Sequence, residues 1–309
     1  MKQRSIGISL MALAAVSLAS ASILLKHIPL QTNLQPGHVG IWRFTIAAPL
    51  LWVFTRKSQS AKEELPVRRY QLFLLGAVFA VANFAALFSL ERLPSSLYVI
   101  IIYFYPSLVV LYAFLTGKKV PKLFWVGLPL AVLGLFFVVY EFGSKFSIDP
   151  LGFFFTIINA IAVAAYMLIS ERLMAGIRDK LYATNFVLMG TMLAGWLMIP
   201  LFGVRLPDSA RGWLLLMALG IFGSLTPIVA MNIGLQLMGA ARGSIINTLQ
   251  PVVTVLVSTF FLKEELTPQQ WLGGAIVIVA IAILQLSPDI VRKKESQSQI
   301  EQASSSSSD

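Results

Sequence analysis

The chain has 309 residues, of which 57% are hydrophobic and only 12% charged, with a mean hydropathy of +0.78. A soluble domain carries about 25% charged residues and about 45–50% apolar ones, so a single water-soluble core is excluded and a polytopic membrane protein is expected. A spanning helix takes roughly 20 apolar residues, which leaves no length for a large soluble domain. With no cysteine and two histidines, the chain offers no disulfide, no thiolate nucleophile and no ordinary zinc ligand set.

Hydropathy divides the sequence into ten apolar segments: 6–28, 38–55, 70–90, 95–115, 122–140, 151–170, 182–202, 213–236, 240–262 and 269–287. Helix-start signals punctuate them. Asp149-Pro150 opens the sixth, and Thr267-Pro268-Gln269-Gln270 reads as an N-cap, a proline at the first helical position and a capping-box glutamine opening the tenth. The first segment, behind Lys2 and Arg4, is too long for the apolar run of a signal peptide. The tail after Pro288 is serine, glutamine and charge, a composition expected to be disordered.

With the N-terminus placed in the cytoplasm, 17 lysines and arginines fall on inner segments and six on outer loops (Lys26, Arg92, Lys145, Arg205, Arg211, Lys263), with Arg43 left inside a span, out of 24. The positive-inside rule then puts both termini in the cytoplasm of a cell (inner) membrane protein. The net charge of +10 is spread over six short inner segments, so it makes no claim on nucleic acid.

Sliding the chain against itself by 145 residues aligns Gly7 with Gly152, Leu90 with Leu235 and Pro106 with Pro251. One inserted residue then brings Trp125-Val126-Gly127 onto Trp271-Leu272-Gly273. The expected architecture is an all-α membrane protein of ten transmembrane helices in two five-helix repeats, residues 1–145 and 146–287, followed by a tail over 288–309. Because five is odd, the second repeat enters the membrane from the opposite side. Inverted repeats of this kind suit alternating access, with a solute site near the midplane where the repeats meet.

From Gly239-Ala240-Ala241-Arg242-Gly243-Ser244 through Leu249-Gln250-Pro251-Val252 to Leu262-Lys263-Glu264-Glu265-Leu266-Thr267 and Gln270-Trp271-Leu272-Gly273, the chain resembles the end of an EamA repeat of the drug/metabolite transporter superfamily. Trp42-Arg43-Phe44 and Pro106 echo it in the first half. Lys118-Lys119 lacks the acid that ends the motif, which leaves that acid represented at Glu264 alone. The resemblance implies export or exchange of small metabolites, amino acids or drug-like compounds.

Polar side chains in hydrocarbon are costly unless they face protein or a water-filled cavity. In segment nine, Ser244, Asn247, Pro251, Thr254 and Ser258 form one stripe bordered by Gln250, while Val255 faces elsewhere. Pro251 frees backbone carbonyls in mid-membrane. Segment four offers two faces, one with Tyr98, Tyr105 and Tyr112 and the other with Ser96, Tyr103 and Ser107; only one of them can line a cavity. Pseudosymmetry favours the Tyr105 side and leaves Tyr103 open. Asn83, Asn159, Tyr166 and Asn232 complete a candidate substrate-binding set drawn from both halves. Each of these could instead be an interhelical hydrogen bond worth roughly 0.6–2 kcal/mol. Gly134, Ser9, Ala12 and Ser20 are expected to permit close helix contact.

Arg43 is the one clear charge inside a span. Its expected role is to snorkel to the outer interface, and the alternative is to bind an anionic substrate group. The carboxylates lie in loops or at helix ends, Glu91 and Glu171 closest to a span, so a buried acid for proton relay is lacking and exchange or facilitated diffusion is favoured. The chain also lacks the paired acids or nucleophile–base pair that an intramembrane enzyme needs. The leading expectation is a non-enzymatic secondary transporter of small organic solutes with no cofactor, its partners being a small-molecule substrate and the lipid bilayer. A lipid-handling protein or flippase on the same fold is the alternative.

Overall fold

The structure is a computed structural model that describes residues 2–56, 65–93, 95–139, 149–262, 267–285 and 291–292. It is built of helices in the order α1 (Lys2–Gln31), α2 (Pro36–Thr55), α3 (Arg69–Leu90), α4 (Ser95–Ile102), α5 (Tyr105–Leu115), α6 (Lys122–Val139), α7 (Pro150–Leu173), α8 (Lys180–Trp196), α9 (Ile199–Phe202), α10 (Ala210–Gly220), a π-helical stretch over Ile221–Leu225, α11 (Thr226–Met238), α12 (Ala240–Ile246), α13 (Leu249–Leu262) and α14 (Pro268–Gln285). A two-residue antiparallel ladder pairs Lys118–Lys119 with Val291–Arg292, so the tail expected to be disordered from 288 carries one local pairing. Among the described residues, Pro36–Thr55, Arg69–Leu90, Pro150–Leu173 and Ala210–Met238 are each long and apolar enough to cross a membrane. Shorter apolar helices run over Ser5–Ala21, Tyr105–Leu115, Lys122–Val138 and Pro268–Ile283.

Local signals set several helix starts. Asp149 accepts a hydrogen bond from the Gly152 backbone N–H at 2.7 Å. At the start of α14, the Thr267 N–H donates to Gln270 Oε1 at 3.0 Å and the Gln270 N–H to Thr267 Oγ1 at 3.3 Å. Both partners of that capping box satisfy a backbone donor that the helix itself cannot.

Helix packing follows one pattern. α3 lies on α7 and α8, α1 on α11, α2 on α8, α10 and the π stretch, α6 on α14, α13 on α1, and α4 with α5 on α7. Replacing each apolar segment by its counterpart five places along maps these main contacts onto one another: third-on-sixth becomes eighth-on-first, and second-on-seventh and fifth-on-tenth map onto themselves. Small residues let these helices meet. A Cβ on Gly76 would overlap the Val187 carbonyl and one on Gly190 the Phe73 carbonyl, so α3 and α8 touch backbone to backbone. As expected for Gly134, its added Cβ would lie 2.8 Å from the Val277 nitrogen of α14.

The two ends of the bundle are each tied by their own contacts. At one end His38 Nε2 meets the Phe202 carbonyl at 2.9 Å, Phe202 stacks on Phe88, Phe88 lies against Phe155, and Ser89 Oγ donates to the Gly152 carbonyl at 3.0 Å. At the other end of α7, Lys118 Nζ pairs with Glu171 Oε1 at 3.1 Å, and Glu171 Oε2 accepts from the Ala240 N–H at 3.2 Å. Every one of these contacts joins segments that the charge count assigns to the same side.

Candidate functional site

Two of the apolar segments are broken in the middle, and at matching places. Proline at 106 cannot donate to the carbonyl of residue 102, and proline at 251 cannot donate to that of residue 247; each ring also crowds the preceding turn. Accordingly α4 stops at Ile102 and α5 starts at Tyr105, while α12 stops at Ile246 and α13 starts at Leu249. The breaks tighten into 3₁₀ steps, with Phe104 N–H bonded to the Ile101 carbonyl at 3.1 Å and Thr248 N–H to the Ile245 carbonyl at 3.0 Å. Because Thr248 bonds three residues back, the Ser244 carbonyl loses its usual helical donor.

Tyr105, from the other half, supplies one. Its hydroxyl donates to the Ser244 carbonyl at 3.1 Å and accepts from Asn247 Nδ2 at 3.0 Å. Asn247 is buried, and its Oδ1 has no hydrogen-bond partner among the described residues. Such an orphan acceptor is rare in native structures and calls for a reason, a ligand among them. Gln250 is half-buried one turn further on, and its carbonyl accepts from Thr254 Oγ1 at 3.0 Å.

The break changes the reading of segment four. A continuous helix would set Tyr103 and Tyr105 on opposing faces, but the interruption falls between them and brings both inside. Both are buried, with ring centroids 5.9 Å apart. The choice of one face over the other therefore dissolves. Tyr98, on α4, accepts from Asn159 Nδ2 at 3.2 Å, and the same amide donates to the Ala82 carbonyl at 2.8 Å.

The remaining candidates sort by how fully they are satisfied. Asn232 is completely buried; its Oδ1 accepts from Tyr166 at 2.7 Å and from Ser170 at 2.9 Å, and its Nδ2 donates to Thr184 Oγ1 at 3.2 Å. With its amide engaged on both sides, this node ties α7, α8 and α11 together and leaves little for a solute. Asn83 is half-buried, donates to the Phe79 carbonyl at 2.7 Å and accepts from Arg43 Nη2 at 3.0 Å.

Arg43 contradicts the snorkelling expectation. It is 6% exposed, its guanidinium hydrogen-bonded to Asn83 and 4.4 Å from the centroid of the Phe44 ring. Its position on α2 is seven residues past Pro36, about 10 Å along the axis. The side chain finds its partner on α3 across the bundle, so it does not reach back to the helix end.

Sequence reasoning missed Asn185, which is buried on α8 with Oδ1 unpartnered among the described residues, and Ser224 of the π stretch, buried with an unpartnered Oγ. Both are polar residues within apolar segments, so the criterion that picked out Asn232 applied to them equally. Glu91 caps α3 at the surface and lies 3.7 Å from Arg92, and Glu171 is taken up by Lys118 and the start of α12. Neither reaches the interior. The side chains of Ser96, Val255 and Ser258, and all of Glu264, lie outside the described residues. Two apolar pockets form: one of about 180 Å³ away from the breaks, bordered by His38, Trp42 and Trp196, and one of about 490 Å³ beside the break of segment four, between Phe104, Ser107 and α6.

Known proteins bear on what this arrangement serves. YedA of Escherichia coli K12, named an uncharacterized inner membrane transporter, is 25% identical over 202 residues, which is 63% of each chain; the match thus spans less than two thirds of that relative's length. A protein of Archaeoglobus fulgidus named an uncharacterized transporter is 24% identical over 68% of this chain and 75% of its own. YcbK of Bacillus subtilis, also named a transporter, is 23% identical over 95% and 97%. A solved structure titled "Crystal structure of protein" superposes with a TM-score of 0.75 at 18% identity, covering 92% of this chain and 96% of that one, which shows a shared fold. The sequence model of the EamA-like transporter family matches twice, over residues 5–140 and 150–286. The chain is a membrane protein that belongs to the EamA-like transporter family.

Proposed function

We propose that this chain is a secondary transporter, an exporter or exchanger of small organic metabolites, amino acids or drug-like compounds, working by alternating access. Its ten spans form two inverted repeats, residues 1–145 and 146–287, with both termini cytoplasmic and the Asp149 end of α7 outside. The observation that carries the reading is the pair of broken helices at matching positions, clasped by Tyr105 on Ser244 and Asn247. Interrupted helices placed symmetrically in two repeats expose backbone and side-chain polar groups near mid-membrane, which is where a carrier needs them. The exchangeable packing of the two halves supports the same reading.

In this reading Asn247, Gln250, Tyr103 and Tyr105 line the solute site, with Arg43 and Asn83 at its outer wall. Asn159, Tyr166 and Asn232 hold the surrounding helices in register. Breaking the Tyr105 clasp would let the two halves rock apart. Among the described residues no aspartate or glutamate is buried in the spans, in keeping with exchange or facilitated diffusion. The test is counterflow: the purified chain in liposomes, preloaded with defined mixtures of small solutes, should exchange members of one chemical class. Liposomes whose contents stay put for every mixture would refute it.

A further inference from the structure

Arg43 is a buried cation without a counter-ion among the described residues. Among the described residues, the elements that pack most closely on α2 are α1, α3, α8, α9, α10 and the π stretch, and none of them, nor α2 itself, contains an aspartate or glutamate. Among the described residues the guanidinium has one hydrogen bond, to the neutral Asn83 amide, plus the face of Phe44, and its Nε proton has no acceptor.

Removing an ion from water is expensive, and an aromatic face with one amide oxygen offsets only part of that cost. A residue that merely joined α2 to α3 would do better as glutamine, which donates to Asn83 without burying a charge. Lysine and arginine within spans ordinarily pair with an acid or mark the path of a charged solute. Among the described residues the first option is missing. Arg43 and Asn83 stand at the same depth, Arg43 seven residues from the Pro36 end of α2 and Asn83 seven residues from the Leu90 end of α3, about 10 Å in from either helix end. Asn83 is only half-buried, which leaves the pair within reach of a solute.

We infer that the counter-ion of Arg43 is the substrate: the transported solute carries an oxyanion, such as a carboxylate, sulfonate or phosphate monoester, that pairs with the guanidinium beside Asn83. This assignment rests on the transport reading above and narrows it to one charge class. The planar guanidinium suits such a group because it can present parallel N–H donors to two oxygens. An oxyanion entering from either side would also relieve the buried charge, coupling solute binding to the stability of the α2–α3 contact.

The experiment loads liposomes holding the full chain with three defined pools and measures protein-dependent release by mass spectrometry. The first contains carboxylates, amino acids and phosphate monoesters; the second, sugars, amides and nucleosides; the third, amines and quaternary ammonium compounds. Release should be confined to the first pool, fall at least tenfold in Arg43→Gln and be partly retained in Arg43→Lys. Release of second- or third-pool solutes by the unaltered chain would overturn the anion assignment and leave the carrier intact, as would unchanged first-pool release in Arg43→Gln. Release from no pool would overturn the carrier itself. The selectivity of the unaltered chain decides the question even if the glutamine variant does not fold.

Discussion

The hydroxyl of Tyr105 lies 3.0 Å from Asn247 Nδ2 and also holds the Ser244 carbonyl, at 3.1 Å. One side chain of the first half thus satisfies a carbonyl released by the helix break of the second. The carbonyl is free because Thr248 bonds to Ile245, and that step is a consequence of Pro251. A proline in one repeat therefore creates the acceptor that a tyrosine of the other fills.

Tyr105→Phe keeps the ring and removes this clasp. It should lower stability by about 0.5–2 kcal/mol, the range for an interhelical hydrogen bond in a membrane protein, and alter the counterflow rate. Asn247→Ala and Gln250→Ala should reduce the rate or change the preferred solute while the protein remains folded in detergent. Leu256→Ala, at an exposed position of α13, should leave rate and preference unchanged.

Asn232 should behave in the opposite way. Asn232→Leu strands the Tyr166 and Ser170 hydroxyls, both buried, and a buried polar group left unpaired costs about 1–3 kcal/mol. A melting curve in detergent should show a larger loss of stability for this variant than for Gln250→Ala. If Asn232→Leu melts normally but loses transport, the residue belongs to the solute path and not to the scaffold.

Gly190→Ala tests the backbone contact of α3 and α8. The added methyl would run into the Phe73 carbonyl, which cannot rotate away as a side chain could. Overpacking of this kind costs about 1–3 kcal/mol, read as a lower melting temperature. The same substitution at Gly195 of α8, whose added Cβ meets only the Phe84 ring at 3.7 Å, controls for the loss of a glycine and should leave the melting temperature nearly unchanged.

Topology is checked by reporters fused after residue 309 and within 143–149. Opposite sides are expected, with the C-terminus cytoplasmic, because lysine and arginine concentrate on the segments that share its side. A reporter at 309 that responds from outside would remove the inverted arrangement.

Much of the helical layout was legible in the sequence because bilayer-scale apolar runs and proline or capping signals are local. The ten apolar segments fall on observed helices, and Thr267 with Gln270 forms the anticipated capping box. The equivalence of Pro106 and Pro251 was visible from the offset of 145, but its effect on segment four was not. Helical periodicity assumes an unbroken helix, and the break puts Tyr103 and Tyr105 together. Arg43 was misread for a different reason: depth along α2 says how far the interface is, whereas its partner Asn83 lies on another helix, and a tertiary contact of that kind leaves no local mark. The pairing of Tyr105 with Asn247 and the saturation of Asn232 are likewise products of packing.

The absence of cysteine in the chain makes single-cysteine accessibility the most direct test of the central claim, that the two halves open the site to alternate sides. Val99→Cys and Thr254→Cys sample the proposed outer halves of the broken segments, and Val110→Cys and Ser244→Cys the inner halves. In liposomes, with a membrane-impermeant thiol reagent on each side in turn, adding a solute identified by counterflow should raise labelling of one pair and lower that of the other. Both pairs reacting together, at rates the solute does not change, would contradict alternating access and indicate a continuous pore.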